Sequence, residues 1–246
     1  MRRTTLFVTA VAFFAAVACA AASTVSITPV KLTLAQSGSA EDLTVSNGNP
    51  EPTRFSVRAY KWTQSPSGEI QLAPSDDVIV YPQSFTVPAL DRRILRVGFA
   101  HPLQPVEQTY RIVVSELPPF DETHPESVVR VLTKFSVPLF IAPPGGEAHP
   151  AIQNASLQNG KLTFALAVAG PVHVLATHLT VRGLDSNGKV VFEQTPAVWY
   201  VLPEQPRLYA LTVPAGACAR IAQLRFEATF DGAPPLNSSV APTRAC

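Results

Sequence analysis

The run of fourteen residues Val128–Ile141 carries the longest strand pattern of the chain and reads VVRVLTKFSVPLFI. Its odd positions are almost all apolar, whereas its even positions include Arg130, Lys134 and Ser136. Alternation with a period of two is typical of a β-strand that has one face on a core. Because an average strand has about five or six residues, the first half of this strand should extend beyond its own sheet as an open edge.

Short alternating runs of the same kind fill the rest of the chain, helix signals are nearly absent, and 24 prolines punctuate the sequence. This pattern predicts many antiparallel strands in sandwiches. Up to and including the run Val128–Ile141, the predicted strands are Thr24–Leu34, Leu43–Asn47, Thr53–Thr63, Ser84–Val87, Arg93–Phe99, Thr109–Glu116 and Val128–Ile141. The strands predicted after it are Lys161–Val168, Val172–Arg182, Lys189–Gln194, Arg207–Val213 and Gln223–Phe230.

A break in the strand pattern follows at Ala142–Gly146, which reads APPGG, with Pro150 soon after. Such a stretch cannot continue a central strand and is typical of a linker. The predicted fold class is therefore all-β, with two immunoglobulin-like β-sandwich domains joined by a Pro/Gly linker. The expected boundaries are 23–142 for the first domain, 143–150 for the linker and 151–246 for the second domain.

The N-terminus has the three parts of a secretory signal peptide, which we assign to residues 1–22: a basic start, a short apolar run and small residues before the cleavage site. An alternative, in which Cys19 is the acylated residue of a lipoprotein, fits less well because Ala16 rather than leucine stands three positions before it. No other stretch is long and apolar enough to span a membrane. After cleavage, Cys218 and Cys246 form an even pair in an exported protein, which favours a disulfide.

Composition and motifs argue against several classes of function. The formal net charge is +1 and charged residues make up 15% of the chain, so nucleic acid is not an expected partner. The sequence has no G-x-S-x-G serine motif, no H-E-x-x-H zinc motif and no glycine loop for phosphate. His173 and His178 should point to opposite faces of one strand, so they make a poor metal pair. Asp76 and Asp77 look like solvated loop acids. We therefore expect neither an enzyme nor a cofactor or metal.

Three stretches bring a family into view. Gln108–Pro119 resembles the tyrosine-arginine, glutamate and double-proline signature of periplasmic pilus-assembly chaperones. Val25–Lys31 with Leu43–Asn47 is similar to the first two strands of that family, and Phe135–Pro143 is similar to the end of its long donor strand.

This resemblance implies a periplasmic chaperone that works by donor-strand complementation. A pilus or fimbrial subunit lacks its final strand, the chaperone lends its own, and the complex is then delivered to an outer-membrane usher. The implied pegs, meaning the apolar side chains that fill the groove of the subunit, are Val129, Val131, Thr133, Phe135 and Val137. The resemblance also admits a free form in which two copies cap each other's donor strands as a dimer.

The family also grips the C-terminal carboxylate of the subunit with a basic pair, and here the match is incomplete. The first member falls at Lys31, whereas the second falls at Pro138, which carries no charge. Lys134 and Arg111 are both candidates to replace it, and the sequence does not choose between them. The usual interdomain ion pair of Glu116 is also in doubt, since Ala142 stands where the family has arginine. These departures resemble the archaic branch of the family.

A different class of protein is the alternative: an exported two-domain adhesin or carbohydrate-binding module. Trp62 and Trp199 are the side chains that such a protein would use as sugar platforms, although tryptophans of β-sandwiches are more often buried.

Overall fold

The computed structural model describes residues 24–36, 38–118, 131–242 and 244–245, and within these ranges the chain is almost entirely β-structure. The predicted signal peptide, Val129 and Cys246 lie outside the described residues. The strands of the first half are β1 (Val25–Thr28), β2 (Leu32–Leu34), β3 (Ala40–Asn47), β4 (Thr53–Gln64), β5 (Ile70–Pro74), β6 (Val78–Tyr81), β7 (Ser84–Val87), β8 (Arg92–Phe99), β9 (Gln108–Leu117) and β10 (Lys134–Ile141). The second half contains β11 (His149–Gln158), β12 (Lys161–Ala169), β13 (Val174–Leu184), β14 (Val190–Gln194), β15 (Tyr200–Val201), β16 (Arg207–Thr212), α1 (Ala215–Cys218), β17 (Gln223–Asp231), β18 (Leu236–Val240) and β19 (Arg244–Ala245).

The strands of the first half form two sheets that face each other across one core. Sheet I has the order β1-β3-β8-β6, and sheet II has the order β2-β10-β9-β4-β5, with β7 also paired to β4. Alternate residues of both sheets point inward; Leu43 and Leu95 of sheet I and Phe55 and Ile112 of sheet II are fully buried. The predicted period of two is thus the physical basis of this sandwich.

The first predicted strand, Thr24–Leu34, is divided by Pro29 into two strands of different sheets. β1 pairs antiparallel with β3 in sheet I, whereas β2 runs parallel to β10 in sheet II. Proline has no N–H for a ladder and interrupts a strand. The chain therefore crosses from one sheet to the other at this point, and it brings Lys31 to the edge of sheet II.

The strand β10 is shorter than predicted. It begins at Lys134 rather than Val128, so it has eight residues, and the described residues 131–133 precede it without strand structure. Its whole length pairs with β9, from Lys134 opposite Ser115 to Ile141 opposite Gln108. By register Leu132 faces Leu117, the last residue of β9, so within the part of the chain that the structure describes sheet II offers no strand partner before Leu132. The length was overestimated because apolar alternation continues past the point where a partner strand exists.

The second half builds another pair of sheets, with the orders β16-β12-β11-β19 and β14-β13-β17-β18, and β15 also pairs with β13. Among the described residues, no strand of the first half pairs with a strand of the second half. The predicted fold class, two immunoglobulin-like sandwiches of almost pure β-structure, is confirmed. The connection between β10 and β11 covers residues 142–148, since β11 begins at His149.

Candidate binding cleft

The strand β10 has two neighbours over its last three residues and one neighbour over the rest. β2 pairs with Leu139–Ile141 alone, so among the described strands only β9 contacts the backbone of Lys134–Pro138. The N–H of Glu116 donates to the carbonyl of Thr133 at 2.9 Å. Since hydrogen-bonded positions alternate along an antiparallel pair, Lys134, Ser136 and Pro138 turn their backbone groups to the open edge. Proline is tolerated there because no bond to β9 is lost.

One row of side chains crosses sheet II on the face that is turned away from its own core. Pro138 lies opposite Arg111, and Arg111 lies opposite Tyr60 on β4. Lys31 directly precedes Leu32, which pairs with Leu139, so the parallel register brings Lys31 beside Pro138. Lys31 and Arg111 therefore lie on the same face, two strands or about 10 Å apart. We call Lys31, Pro138, Arg111 and Tyr60 the cationic row.

Arg111 is the most unusual charge of the row, because it is 4% exposed. Its guanidinium lies 3.9 Å from the centroid of the Trp62 ring, and Nη1 donates to the carbonyl of Ser136 at 3.2 Å. Nε and Nη2 are buried without a hydrogen-bond partner, and Arg111 has no ion pair with any described residue. Burial lowers the pKa of Arg111, because the charged guanidinium loses solvation there. A buried cation with two unused donors is a strong site for an anion.

Lys31 has an open environment. Its side chain is 40% exposed, and Nζ lies 3.6 Å from Oδ2 of Asp231, the last residue of β17 in the second sandwich. The cationic row thus faces the second sandwich. We call the junction between the two sandwiches the cleft, with Lys31 partly exposed at its rim and Arg111 buried at its inner end.

Lys134, the other candidate for the second basic residue, lies away from this row. It is exposed at the start of β10 and lies opposite Ser115. Pro138 lies four positions further along β10, a distance of about 13 Å. The geometry therefore groups Arg111, rather than Lys134, with Lys31.

The predicted pegs pass from an open to a buried environment along the chain. Val131 is 80% exposed, and Thr133 is half-buried with its N–H donating to Oε2 of Glu116 at 3.0 Å. Phe135 is partly buried against the core of the first sandwich, and Val137 is 5% exposed within that core. The carboxylate of Glu116, whose partner was left in doubt by the sequence, is thus bonded inside the first sandwich.

An aromatic cluster joins the two sandwiches directly behind Arg111. Trp62 and Phe140 from sheet II pack against Tyr200 and Leu202 from the second sandwich. Trp62 is fully buried, so it presents no face for a sugar, whereas Trp199 is 45% exposed and packs edge-on against Tyr200. The structure therefore provides one exposed tryptophan rather than a pair of platforms.

A buried acid, Glu107, and His173 also join the two sandwiches, in a contact that sequence reasoning missed. Nδ1 of His173 lies 2.7 Å from Oε1 of Glu107, and the His173 N–H donates to the same oxygen at 3.2 Å. The Glu107 side chain is 2% exposed, and the imidazole stacks on Phe140 with ring centroids 3.5 Å apart. His173 precedes β13 rather than lying within it. Nothing in the local pattern indicated this pair, because its partners come from different domains.

Asp77 is not the solvated loop acid that the sequence suggested. The buried Tyr110 hydroxyl donates to Oδ2 of Asp77 at 2.9 Å, and Nε2 of His101 lies 3.3 Å from its Oδ1. The hydrogen bond from Tyr110 holds the pKa of Asp77 below its usual value, while burial raises the pKa of Tyr110. Asp76 is exposed, as expected.

Two further searches cover the described residues alone. They contain no helix that is long and apolar enough to cross a membrane. They also contain no cluster of three or more histidine, cysteine, aspartate or glutamate side chains that could hold a metal ion. The predicted disulfide joins Cys218 to Cys246. Of the two, Cys218 lies in the described residues, where it is 3% exposed.

Solved structures with the same fold are chaperones of fimbrial assembly. The chaperone–tip adhesin complex of the archaic Csu pili of Acinetobacter baumannii (CsuC–CsuE) contains a chain that matches 90% of this one over 100% of its own length, at 18% identity and a TM-score of 0.63. A chaperone–tip adhesin complex of CFA/I fimbriae matches 90% of this chain and 99% of its own at 14% identity, with a TM-score of 0.61. The chaperone DraB of E. coli matches 88% of this chain and 96% of its own at 18% identity, with a TM-score of 0.57. At these identities the likeness establishes the fold.

The family follows from the sequence itself. No curated protein matches the chain closely enough to be counted as a relative. The profile described as "Pili and flagellar-assembly chaperone, PapD N-terminal domain" matches residues 24–147, which include β1 to β10 and every residue of the cationic row. The protein belongs to this family of non-enzymatic pilus-assembly chaperones.

Proposed function

We propose that the protein is a periplasmic chaperone that stabilises pilus or fimbrial subunits by donor-strand complementation and delivers them to an outer-membrane usher. The observation that carries the proposal is the open edge of β10, which runs from Lys134 to Pro138 and ends at the cationic row. An unpaired edge with alternating side chains is what strand addition requires. The CsuC and CFA/I chains, which share the fold, come from complexes of a chaperone with a tip adhesin.

Some side chains before and within β10 are exposed and available to a subunit, whereas others fill the core of the chaperone. Val131, with most of its surface in water, is available to a subunit, whereas Val137 already fills the chaperone's own core. Each open aliphatic side chain that a subunit buries contributes about 1.5–3 kcal/mol before the costs of association. Val129 and Thr133 extend the same row, and Phe135 lies where the subunit core meets that of the chaperone.

Lys31 and Arg111 form the proposed anchor for the C-terminal carboxylate of the subunit. Arg111 supplies two donors that have no partner in the described residues, and Lys31 supplies a mobile charge from the cleft rim. Charge-assisted hydrogen bonds in a partly dry cleft are stronger than surface pairs. Lys134 is too far along the strand to share one carboxylate with Lys31, so its side chain has no part in the proposed anchor.

Val131→Ser tests the donor strand, with Val190→Ser as its control because Val190 is 45% exposed on the second sandwich. The chaperone is co-expressed with the small secreted β-rich proteins encoded beside it, and the co-purified subunit is weighed. We expect Val131→Ser to lose most of the subunit at an unchanged thermal midpoint, while Val190→Ser keeps it. Normal co-purification by Val131→Ser, or a large drop of its midpoint, contradicts the donor role of this residue.

Lys31→Ala tests the anchor. Lys31 is exposed, so its loss costs little stability, but the subunit should no longer be protected in the periplasm. Lys134→Ala is the matched control, since it removes the same charge about 13 Å away along β10. Equal losses in both variants mean that overall positive charge, rather than the cationic row, attracts the subunit.

Export and redox chemistry complete the proposal. Residues 1–22 direct the chain to the periplasm and are removed, and Cys218 forms a disulfide with Cys246 there. Support for the pairing comes from the backbone of residues 244–245, which pairs with Leu157 and Gln158, because Leu157 and Cys218 share one core. The mature protein should be lighter by two hydrogens before reduction than after it, and two alkylatable thiols in exported protein contradict the bond.

The free form and the branch of the family are part of the same proposal. With an open edge on β10, two copies can cap each other until a subunit arrives, which predicts a dimer that dissociates on subunit binding. We also place the chain in the archaic branch, because the second basic residue of the usual pair is replaced by Pro138 and its charge is supplied by Arg111.

A further inference from the structure

One carboxylate of the second sandwich faces the cationic row from across the cleft. Asp231 ends β17 and lies opposite Leu175 of β13. Its Oδ2 lies 3.6 Å from Nζ of Lys31, and the Asp231 side chain is 60% exposed. Neither residue is close to the other in the chain, so this contact exists only because the two sandwiches meet here.

The charge of Asp231 extends beyond Lys31 into the cleft. Burial raises the pKa of the Tyr200 hydroxyl, Arg111 lowers it, and Asp231 raises it. Tyr200 thus responds to Arg111 on one side and to Asp231 on the other. The described residues of the cleft therefore present two cations, Lys31 and Arg111, and one built-in anion.

Lys31 and Arg111 differ in whether a carboxylate of the protein already contacts them. Arg111 has unused donors and no carboxylate partner among the described residues, whereas Lys31 already contacts one. A carboxylate that arrives from outside has to share or take over the Lys31 ammonium, and it meets the like charge of Asp231 a few ångströms away. Like charges at this separation repel, and a partly exposed position weakens the effect without removing it.

We infer that Asp231 is an internal competitor of the ligand carboxylate: it occupies Lys31 in the free protein and weakens the grip of the cleft on the bound chain. The inference rests on the proposed function of the cationic row and concerns the regulation of that site. A chaperone has to release what it binds, and a competing carboxylate on the opposite wall favours release. Asp231 closes over Lys31 again as soon as the ligand leaves.

The test measures how strongly the cleft prefers a free carboxylate. The probe is a synthetic peptide of alternating valine and threonine, made once with a free C-terminus and once as the amide, and the ratio of the two dissociation constants is the acid preference. In Asp231→Asn we expect the acid preference to rise about two- to five-fold, the range that exposed ion pairs produce. In Lys31→Ala the preference should fall, and adding Asp231→Asn to that variant should raise it by less than in wild type, because the competition for the ammonium is gone and only the like-charge repulsion remains.

Glu193→Gln is the matched control, because it removes the same charge from the second sandwich. Glu193 lies opposite Arg182, seven residues along β13 from Leu175, or about 23 Å from Asp231. This exceeds the Debye length of about 8 Å at physiological salt, so the acid preference should stay at the wild-type value. Raising the salt concentration should also shrink the difference between Asp231→Asn and wild type.

Each outcome bears on a stated claim. An unchanged or smaller acid preference in Asp231→Asn, with a clear preference in wild type, overturns the competitor role and leaves the proposed anchor intact; a smaller preference would mean that Asp231 orients Lys31 instead. Equal binding of acid and amide in wild type and in every variant overturns the anchor and the competitor together. Co-purification of subunits, which does not depend on this probe, then decides on the chaperone function by itself.

Discussion

The two halves of β10 belong to one strand, yet they have different neighbours. Leu139–Ile141 is covered by β2 on one side and β9 on the other, and all three residues are buried. Lys134–Pro138 pairs with β9 alone, and its other edge is open. The covered half should therefore determine stability and the open half should determine binding. The difference arises from three residues of β2, which reach sheet II because the chain crosses over at Pro29.

The largest expected effect lies in the covered half. Leu139→Ala should lower the free energy of unfolding by about 2–5 kcal/mol, because Leu139 is fully buried in the core of the first sandwich. Urea unfolding measures the change. A loss below about 1 kcal/mol, comparable with that of an exposed residue such as Val131, would remove the distinction between the two halves.

The next effect concerns what holds the covered half against the second sandwich. Glu107→Gln and His173→Phe, alone and combined, form a double-mutant cycle in which phenylalanine keeps the stack on Phe140. The buried contact between Glu107 and His173 should give a coupling of about 1–3 kcal/mol. A coupling near zero would mean that the contact between Glu107 and His173 does not help to hold the two sandwiches together.

A smaller effect of opposite sign is expected beside the open half. Arg111→Met should leave the free energy of unfolding unchanged or raise it by up to about 2 kcal/mol, because it removes a buried charge without a counterion. The same variant should lose the carboxylate preference of the cleft. Arg58→Met, on an exposed residue of β4, is the control and should alter neither property. A loss of stability above about 2 kcal/mol would mean that Arg111 is mainly a structural residue.

The smallest expected effect is a pH-dependent change in stability at the hydrogen bond between Tyr110 and Asp77, close to Leu139. Tyr110 lies opposite Leu139 and donates to Asp77, whose pKa in the folded protein is lowered. A lowered pKa of an acid stabilises the fold above the unfolded value of about 4, and this contribution disappears as the pH falls through the folded pKa. Because the Asp77 side chain is 39% exposed, the advantage of wild type over Asp77→Asn should be below about 1 kcal/mol at pH 6. It should shrink towards pH 3, and a constant difference from pH 6 to pH 3 contradicts the assignment.

Local alternation was enough to predict most strands, because a period of two is a property of the strand itself. Ser84–Val87 is an example, since predicted and observed bounds agree. The strand β5 was missed because all its residues are exposed, so its sequence has no buried face to reveal. The division at Pro29 and the late start of β10 were missed because both depend on which strand is available as a partner.

Single strands determine only part of the candidate site, and the rest depends on contacts between strands. Lys31 and the odd positions of β10 follow from alternation and resemblance. The choice between Lys134 and Arg111 needed the register of β10 against β9, and the roles of Glu107 and Asp231 needed the packing of one sandwich on the other. These are contacts between residues far apart in the chain, and no local pattern encodes them.

Pro138 gives the open edge a defined length. In the proposed complex, an added strand can bond to the backbone of Lys134 and to the N–H of Ser136, whose carbonyl already accepts from Arg111, but Pro138 has no N–H to continue the ladder. The added strand therefore reaches a stop where the cationic row begins. A guest chain whose last residue arrives at this stop places its terminal carboxylate between Lys31 and Arg111, whereas a chain that continues carries an uncharged peptide group past them. Under the proposed function, the open edge of β10 therefore favours a guest whose chain ends beside Pro138.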